Sequence, residues 1–324
     1  MNEREEWPLT PGAARDLLPA ADLMTTKEVA VYLRIKERRV YELLRQKEIP
    51  ASRVTGKWLF PRALIDLWLT RNLAGQGPEA PPPPPVIAGS QDPLLDWAVR
   101  ESGCGLALLP GGSLEGLQHF SAGQALVAGL HLYEPGDDSE GKSTDPAGAN
   151  TFNKATVAVT FAGQPLVLLE WAKRRQGLVV AKDNPLKLQG IADLAGDGVR
   201  LIQRQRTAGS QLLLAHLLGQ ASLEIGDLAT LATPARSEID LGLAVLEGRA
   251  DAGLAIEAVA RALKLGFVPL FEERYDLLIR RRDYFEAPFQ QLMTFTGSAA
   301  FRDRAASMGG YDISAMGRVQ FNGP

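Results

Sequence analysis

Between Leu23 and Leu73, apolar residues recur in three short runs: Val29, Ala30 and Leu33; Val40, Tyr41, Leu43 and Leu44; Leu64, Leu67 and Trp68. Apolar positions three and four apart line one face of a helix, so three short helices are expected, with Tyr41 and Trp58 in their core. Thr25 followed by Glu28 is a capping-box signature for the first helix. Arg34 to Lys36 forms a tight turn before the second, and ASRVTGKWLFP reads as a hairpin around Thr55-Gly56-Lys57. From Val86 onward the pattern changes. Short apolar strands (VIAGS, GLALLPGGS, ALVAGLHLYEP, VRLIQ) lead into amphipathic runs or loops, and RSEIDLGLAVLEGRADAGLAI is a helix followed by a strand. PLVLLEWAKRRQGLVVAK is expected to hold two strands with a sharp reversal. This alternation predicts a mostly parallel sheet with helices on its faces, in a stretch long enough for two lobes joined by chain crossovers. The C-terminal FTGSAAFRDRAASMGGYDISAMGRVQF is expected to pack a last helix on the first lobe and then leave it.

Five successive prolines, Pro81 to Pro85, separate the two patterns. Proline fits neither a helix interior nor a central strand and favours a stiff extended spacer. The expected layout is an arm (1–21), a small module (22–71), a Pro-rich linker (72–86) and a large body (87–324). Charge divides at the same place. The span from Leu23 to Leu73 has eleven Lys and Arg against five Asp and Glu, a surplus of six, whereas the whole chain carries −3. A basic module on an acidic body is the electrostatic footprint of a nucleic-acid reader joined to something else. Cys104 is the sole cysteine, which excludes an intrachain disulfide and thiolate-rich metal sites. With no signal-like N-terminus and no apolar run of membrane-spanning length, a cytoplasmic protein without membrane contact is expected. No nucleophile–His–carboxylate set, metal-ligand spacing or phosphate loop emerges. Neither an enzyme nor a bound cofactor is expected.

In the basic module the face opposite the apolar stripe of the second helix carries Lys36, Arg38 and Arg39, and Lys57 lies at the hairpin tip. The order helix–turn–helix–wing–helix, with TTKEVA, the RRVY start of the second helix, Ile49-Pro50 and Gly56-Lys57-Trp58, resembles the excisionase-type winged helix-turn-helix, a relative of the MerR family. The resemblance implies that the second helix enters the major groove by its N-terminal end, with Lys36, Arg38 and Arg39 on bases and phosphates and Lys57 on the neighbouring backbone. One such module reads few base pairs, so a homodimer on a double-stranded operator is expected.

In open α/β sheets, ligands sit beyond the carboxyl ends of strands, where helices begin. Small or hydroxyl residues recur there: Ser90, Ser113, Thr207-Ala208-Gly209-Ser210 and Ser237. Each helix start offers unpaired N–H groups, and converging starts would cradle an anion. The same residue types also serve as plain helix caps. GLHLYEP, RRQGLVVAKDNPLKLQGIADLA, VRLIQRQRTAGSQLLL and VLEGRADAGLAIEAVARALKLGFVPLFEERYDLLI resemble the cytoplasmic periplasmic-binding-protein-like domain, a type 2 solute-binding fold. The resemblance implies two lobes closing on a small ligand, with molybdate- or tungstate-like oxyanions among the suspected ones. The run Arg206 to Gln211 departs from the family's Arg-Gly-Ser-Gly-Thr-Arg pattern at Ala208 and Gln211, and Gln91 stands where a histidine is common. Arg204 and Arg206 face either the ligand or surface carboxylates; His131 is a ligand donor or a satisfied core histidine; Tyr275 is a further candidate. The expected function is a one-component transcriptional regulator sensing a small anion, or else an organic acid or other metabolite. A recombination accessory factor that bends DNA is the alternative of another class, and it leaves the large body unexplained.

Overall fold

The first helix starts where the sequence places its cap. Thr25 Oγ1 accepts from the Glu28 amide (3.3 Å) while Glu28 Oε2 accepts from the Thr25 amide (2.7 Å). The computed structural model describes residues 23–46, 48–54, 57–71, 82–134 and 151–324. The expected arm, the wing tip at Thr55-Gly56 and most of the expected linker (72–81) lie outside them. The chain divides into two compact units, with the boundary after residue 81.

The first unit runs β1 (Leu23–Thr25), α1 (Thr26–Tyr32), α2 (Glu37–Gln46), β2 (Ser52–Val54), β3 (Lys57–Pro61), α3 (Arg62–Arg71). Its strands form an antiparallel sheet in the order β1-β3-β2. Met24, Val29, Ala30, Val40, Leu43, Ile49, Phe60 and Ile65 make the core, with Trp58 and Trp68 packed against it. Two expectations are corrected. Tyr41 is 49% exposed, because Val40 and Leu43 already fill the space under α2. In α3, Ile65 is buried and Leu64 is 46% exposed. The buried stripe pairs Ile65 with Trp68, three residues on, rather than Leu64 with Trp68.

The second unit begins with β4 (Val86–Ser90), α4 (Pro93–Ser102), β5 (Ala107–Gly111), α5 (Ser113–Ser121), β6 (Val127–Leu130), β7 (Tyr133–Glu134), β8 (Thr151–Phe152), α6 (Lys154–Thr160) and β9 (Leu166–Val180). It continues with β10 (Arg200–Leu201), α7 (Gly209–Gln220), β11 (Ala229–Thr230), α8 (Glu238–Leu246), β12 (Ala252–Ile256), α9 (Glu257–Ala262) and β13 (Gly266–Arg280). It ends with α10 (Arg281–Tyr284), α11 (Ala287–Thr296), α12 (Ala299–Met308), β14 (Tyr311–Asp312) and β15 (Val319–Asn322). The sheet order is β11-β10-β12-β9-β13-β6-β4-β5. At one end β4, β5 and β6 are parallel, and at the other β10, β11 and β12 are parallel. Between them β9 and β13 run antiparallel along their whole length, so the sheet is mixed rather than mostly parallel.

The expected reversal within LEWAKRRQGLVV does not occur: β9 is one strand of 15 residues. Its polar middle is a crossing between two lobes, with Arg174 and Gln176 buried there. Lobe one packs α4, α11 and α12 on one sheet face through Leu94, Phe289 and Phe301, and α5 and α6 on the other through Phe120 and Val157. Lobe two packs α7 through Leu213, Leu214 and Leu217 on one face, and α8 with α9 through Leu241, Val245 and Ala260 on the other. The C-terminal chain does not leave after its last helix. β15 and β14 pair antiparallel with the first half of β9, whose second half on that edge pairs with β12.

Candidate functional site

In the first unit Lys36, Arg38 and Arg39 are exposed at the start of α2, and Lys57 is exposed at the start of β3. The structure brings Arg38 and Arg39 together on one partner. Arg38 Nε lies 3.3 Å and Arg39 Nη1 3.0 Å from the Glu42 carboxylate, which they hold below its ordinary range. With the Arg38 side chain 91% exposed, such solvent-screened pairs contribute little and yield readily to phosphate or guanine. Tyr41, exposed beside them, adds an aromatic face that the sequence reading assigned to the core.

The second unit brings strand ends and helix starts from both lobes to the middle of β9 and β13. From lobe one come Ser90, at the end of β4, and Ser113, opening α5. Tyr275 donates its hydroxyl to the Ser90 carbonyl (2.5 Å), and Ser113 Oγ accepts from the His131 amide (3.2 Å). His131 stacks on Tyr275, with ring centroids 6.1 Å apart, and its Nδ1 lies 2.8 Å from Glu273 Oε2. From lobe two comes the start of α7. Gly209 is pressed on His131: a Cβ there would stand 2.7 Å from the His131 carbonyl oxygen and 2.9 Å from its Nε2. The Thr207 carbonyl accepts from the Leu114 amide (3.3 Å), and its hydroxyl donates to Glu115 Oε1 (2.6 Å). A Cβ on Gly112 would collide with that carbonyl. The lobes are therefore in contact across this seam, with Gly112 and Gly209 required for the close approach.

Other expected residues sit differently. Ser237 caps α8: its Oγ accepts from the Asp240 amide (2.9 Å). Arg204 is buried, donating to the Ala235 and Arg236 carbonyls and lying 4.0 Å from Glu238. Arg206 is exposed.

The centre is made by residues the sequence reading missed. Arg174 is 1% exposed and sits over the Tyr275 ring at 4.4 Å. It donates to Asp92 Oδ2 (3.0 Å) and to Glu273 Oε1. Asp92 caps α4 and also accepts from Trp171 Nε1 (3.1 Å) and the Tyr311 hydroxyl (2.8 Å). Gln176 Nε2 reaches Glu238 of lobe two (3.4 Å), and Glu238 in turn accepts from the Ile256 amide. Burial pushes the Glu273 carboxyl up, but Arg174, His131 and Gln176 outweigh it and hold it at about 2. Burial and the nearby Asp92 raise Tyr275, so it stays a phenol donor. Arg174 Nε, Gln176 Oε1 and Ser210 Oγ are buried without a partner. Each such atom costs about 1–3 kcal/mol in a folded chain. A sequence signal for this centre existed. KRRQ interrupts one apolar strand and EERYD interrupts another, and the register pairs Arg174 with Glu273.

Among the described residues no cluster of three or more His, Cys, Asp or Glu is arranged to hold a metal ion, and no helix is long and apolar enough to cross a membrane. Residues 96–297, more than half of the chain, match the family model described as PBP superfamily domain. The protein belongs to the PBP superfamily. This PBP-superfamily chain also matches a helix-turn-helix domain model over residues 23–73. The uncharacterized protein YvgK of Bacillus subtilis is 25% identical over 311 residues, spanning 91% of this chain and 96% of its own. An uncharacterized protein from the ferredoxin 2Fe-2S gene 5′ region of Clostridium pasteurianum is 32% identical over 84 residues, 26% of this chain and 74% of its own. Among solved structures, the sulfate-binding protein SubI from Mycobacterium tuberculosis H37Rv aligns with a TM-score of 0.45 at 15% identity, covering 70% of this chain and 84% of that one. PEB3 from Campylobacter jejuni aligns with a TM-score of 0.45 at 14% identity, covering 70% and 97%.

Proposed function

We propose that this PBP-superfamily protein is a cytoplasmic one-component transcriptional regulator. Its helix-turn-helix domain binds an operator as a homodimer, and its two-lobed domain senses a small ligand carrying an anionic group. The observation that carries this reading is the start of α7 resting on His131 of the opposite lobe through Gly209, with the hydroxyl of the next residue, Ser210, buried and unpartnered. Amides at a helix start and a free hydroxyl suit an anionic group, and Ser113, His131, Thr207, Gly209 and Tyr275 shape the seam around it. Arg204 and Ser237 brace the lobe-two wall, Ser90 the lobe-one wall, and Arg206 stands at the rim.

Regulation follows if the ligand prefers the closed lobes, since only differential affinity shifts a conformational equilibrium. Molybdate and tungstate are one ligand class, and organic acids or related metabolites the other. On DNA, Lys36, Arg38, Arg39 and Lys57 are assigned to bases and phosphates. The test is operator selection from genomic fragments, followed by fluorescence anisotropy on the selected duplex. The Arg38→Ala, Arg39→Ala double variant should lose binding by 100-fold or so at 0.15 M salt while keeping its ligand-induced thermal shift. Undiminished binding by that variant removes α2 from the groove.

A further inference from the structure

The three unpartnered buried atoms at the lobe crossing differ in kind, and the difference bears on which ligand fits. Arg174 Nε can only donate. Ser210 Oγ can donate or accept. Gln176 Oε1 can only accept. The orientation of the Gln176 amide is fixed by its neighbours. Its nitrogen faces the Glu238 carboxylate at 3.4 Å and helps hold Glu273 ionised, so turning the amide over would set its oxygen against two carboxylates. The residues that carry the three atoms are linked through shared neighbours: Arg174, His131 and Gln176 all meet Glu273, Gly209 rests on His131, and Ser210 follows Gly209.

We infer that the ligand is a carboxylic acid bearing a hydrogen-bond donor on the neighbouring carbon, the α-amino acids first and the α-hydroxy acids second. The inference rests on the inter-lobe reading given above. The carboxylate takes the Arg174 Nε–H, the Ser210 hydroxyl and the amides at the α7 start. The ammonium or hydroxyl donates to Gln176 Oε1.

Charge separates the ligand classes in the same direction. A zwitterionic amino acid adds no net charge to a cluster that holds three buried carboxylates (Asp92, Glu238, Glu273), two guanidinium groups (Arg174, Arg204) and the His131 imidazole. Fully deprotonated molybdate, tungstate and sulfate carry acceptors only. They would set an oxygen against Gln176 Oε1 and add two negative charges beside three buried carboxylates. A buried acceptor facing another acceptor rejects such a ligand strongly, because neither group can find water.

The test is thermal unfolding of the full chain with each of the twenty common amino acids, with glycolate, lactate and malate, and with molybdate, tungstate and sulfate. At least one amino or hydroxy acid should raise the melting temperature by about 5–10 °C at a hundred times its Kd, with the three oxyanions inert. Ser210→Ala removes a hydroxyl with no partner inside the protein. It should leave the ligand-free melting temperature at or above the parent's while weakening that acid roughly 10-fold by calorimetry. Gln176→Met should weaken an amino acid at least as much.

A shift from molybdate, tungstate or sulfate with none from the acids overturns the inference and leaves anion sensing intact. No shift from any probe overturns both. An acid whose Kd is the same in both variants binds elsewhere, which also overturns the inference.

Discussion

Replacing Glu273 by Gln tests whether the buried ion pair at the lobe crossing holds the two-lobed unit together. Glu273 is 1% exposed, and Arg174, His131 and Gln176 hold its carboxyl at about 2 against an ordinary 4.5. That difference favours the ionised folded state by about 3 kcal/mol. The folded pKa lies below the unfolded one, so this stability is present above pH 4.5 and is lost as the pH falls through about 2. Gln keeps the shape, cannot ionise, and turns an amide nitrogen toward donors on Arg174 or His131. The variant should melt about 6–12 °C below the parent at pH 7, given roughly 2–4 °C per kcal/mol for a domain of this size. The gap should narrow steadily from pH 5 to pH 3. Urea titrations at pH 7, 5, 4 and 3 measure it directly. A gap that is the same at every pH refutes the argument, because the Glu273 charge would then contribute nothing.

Asp276 carries the opposite sign. Burial raises it to about 6 from 3.8, with Arg274 and Asn153 opposing only in part. Its contribution is present below pH 3.8 and lost as pH rises through 6, so Asp276→Asn should gain about 3 kcal/mol relative to the parent between pH 4 and pH 7; urea midpoints at both pH values decide it. Gly112→Ala sets a methyl against the Thr207 carbonyl and should hold the lobes apart. Small-angle scattering should then show a radius of gyration that no longer falls when ligand is added. Phe301→Ala empties a fully buried position among Trp97, Trp171 and Phe295 and should cost about 3–5 kcal/mol in urea unfolding, while operator binding by the separate helix-turn-helix unit is retained.

Local rules carried the first unit well. The capping box at Thr25 and Glu28 forms as the spacing predicts, and the basic start of α2 is exposed. Strand–helix alternation was enough to read two lobes. What periodicity could not read is the crossing itself. A charged run inside an apolar segment ordinarily marks a turn, which is why KRRQ reads as a reversal; in β9 the strand continues, with Arg174 buried because β13 brings Glu273 opposite it and Arg175 left exposed. The pairing is long-range, and no local pattern in either strand states it. Ser237 shows the converse limit. A serine at a helix start is the same letter whether it caps the helix or meets a ligand, and here Asp240 completes an ordinary cap.

The ladder between β9 and β13 slips register at two places, Pro269/Phe271 and Tyr275/Asp276, on either side of the Arg174–Glu273 pair. A bulge bends its strand and sharpens its twist locally. The Arg174–Glu273 pair therefore sits in a short block bounded by two such bends, one toward each lobe. A molecule that draws Arg174 away from its two carboxylates would load both bends at once. The same few side chains would then register occupancy and turn it into lobe rotation, with no separate relay between them.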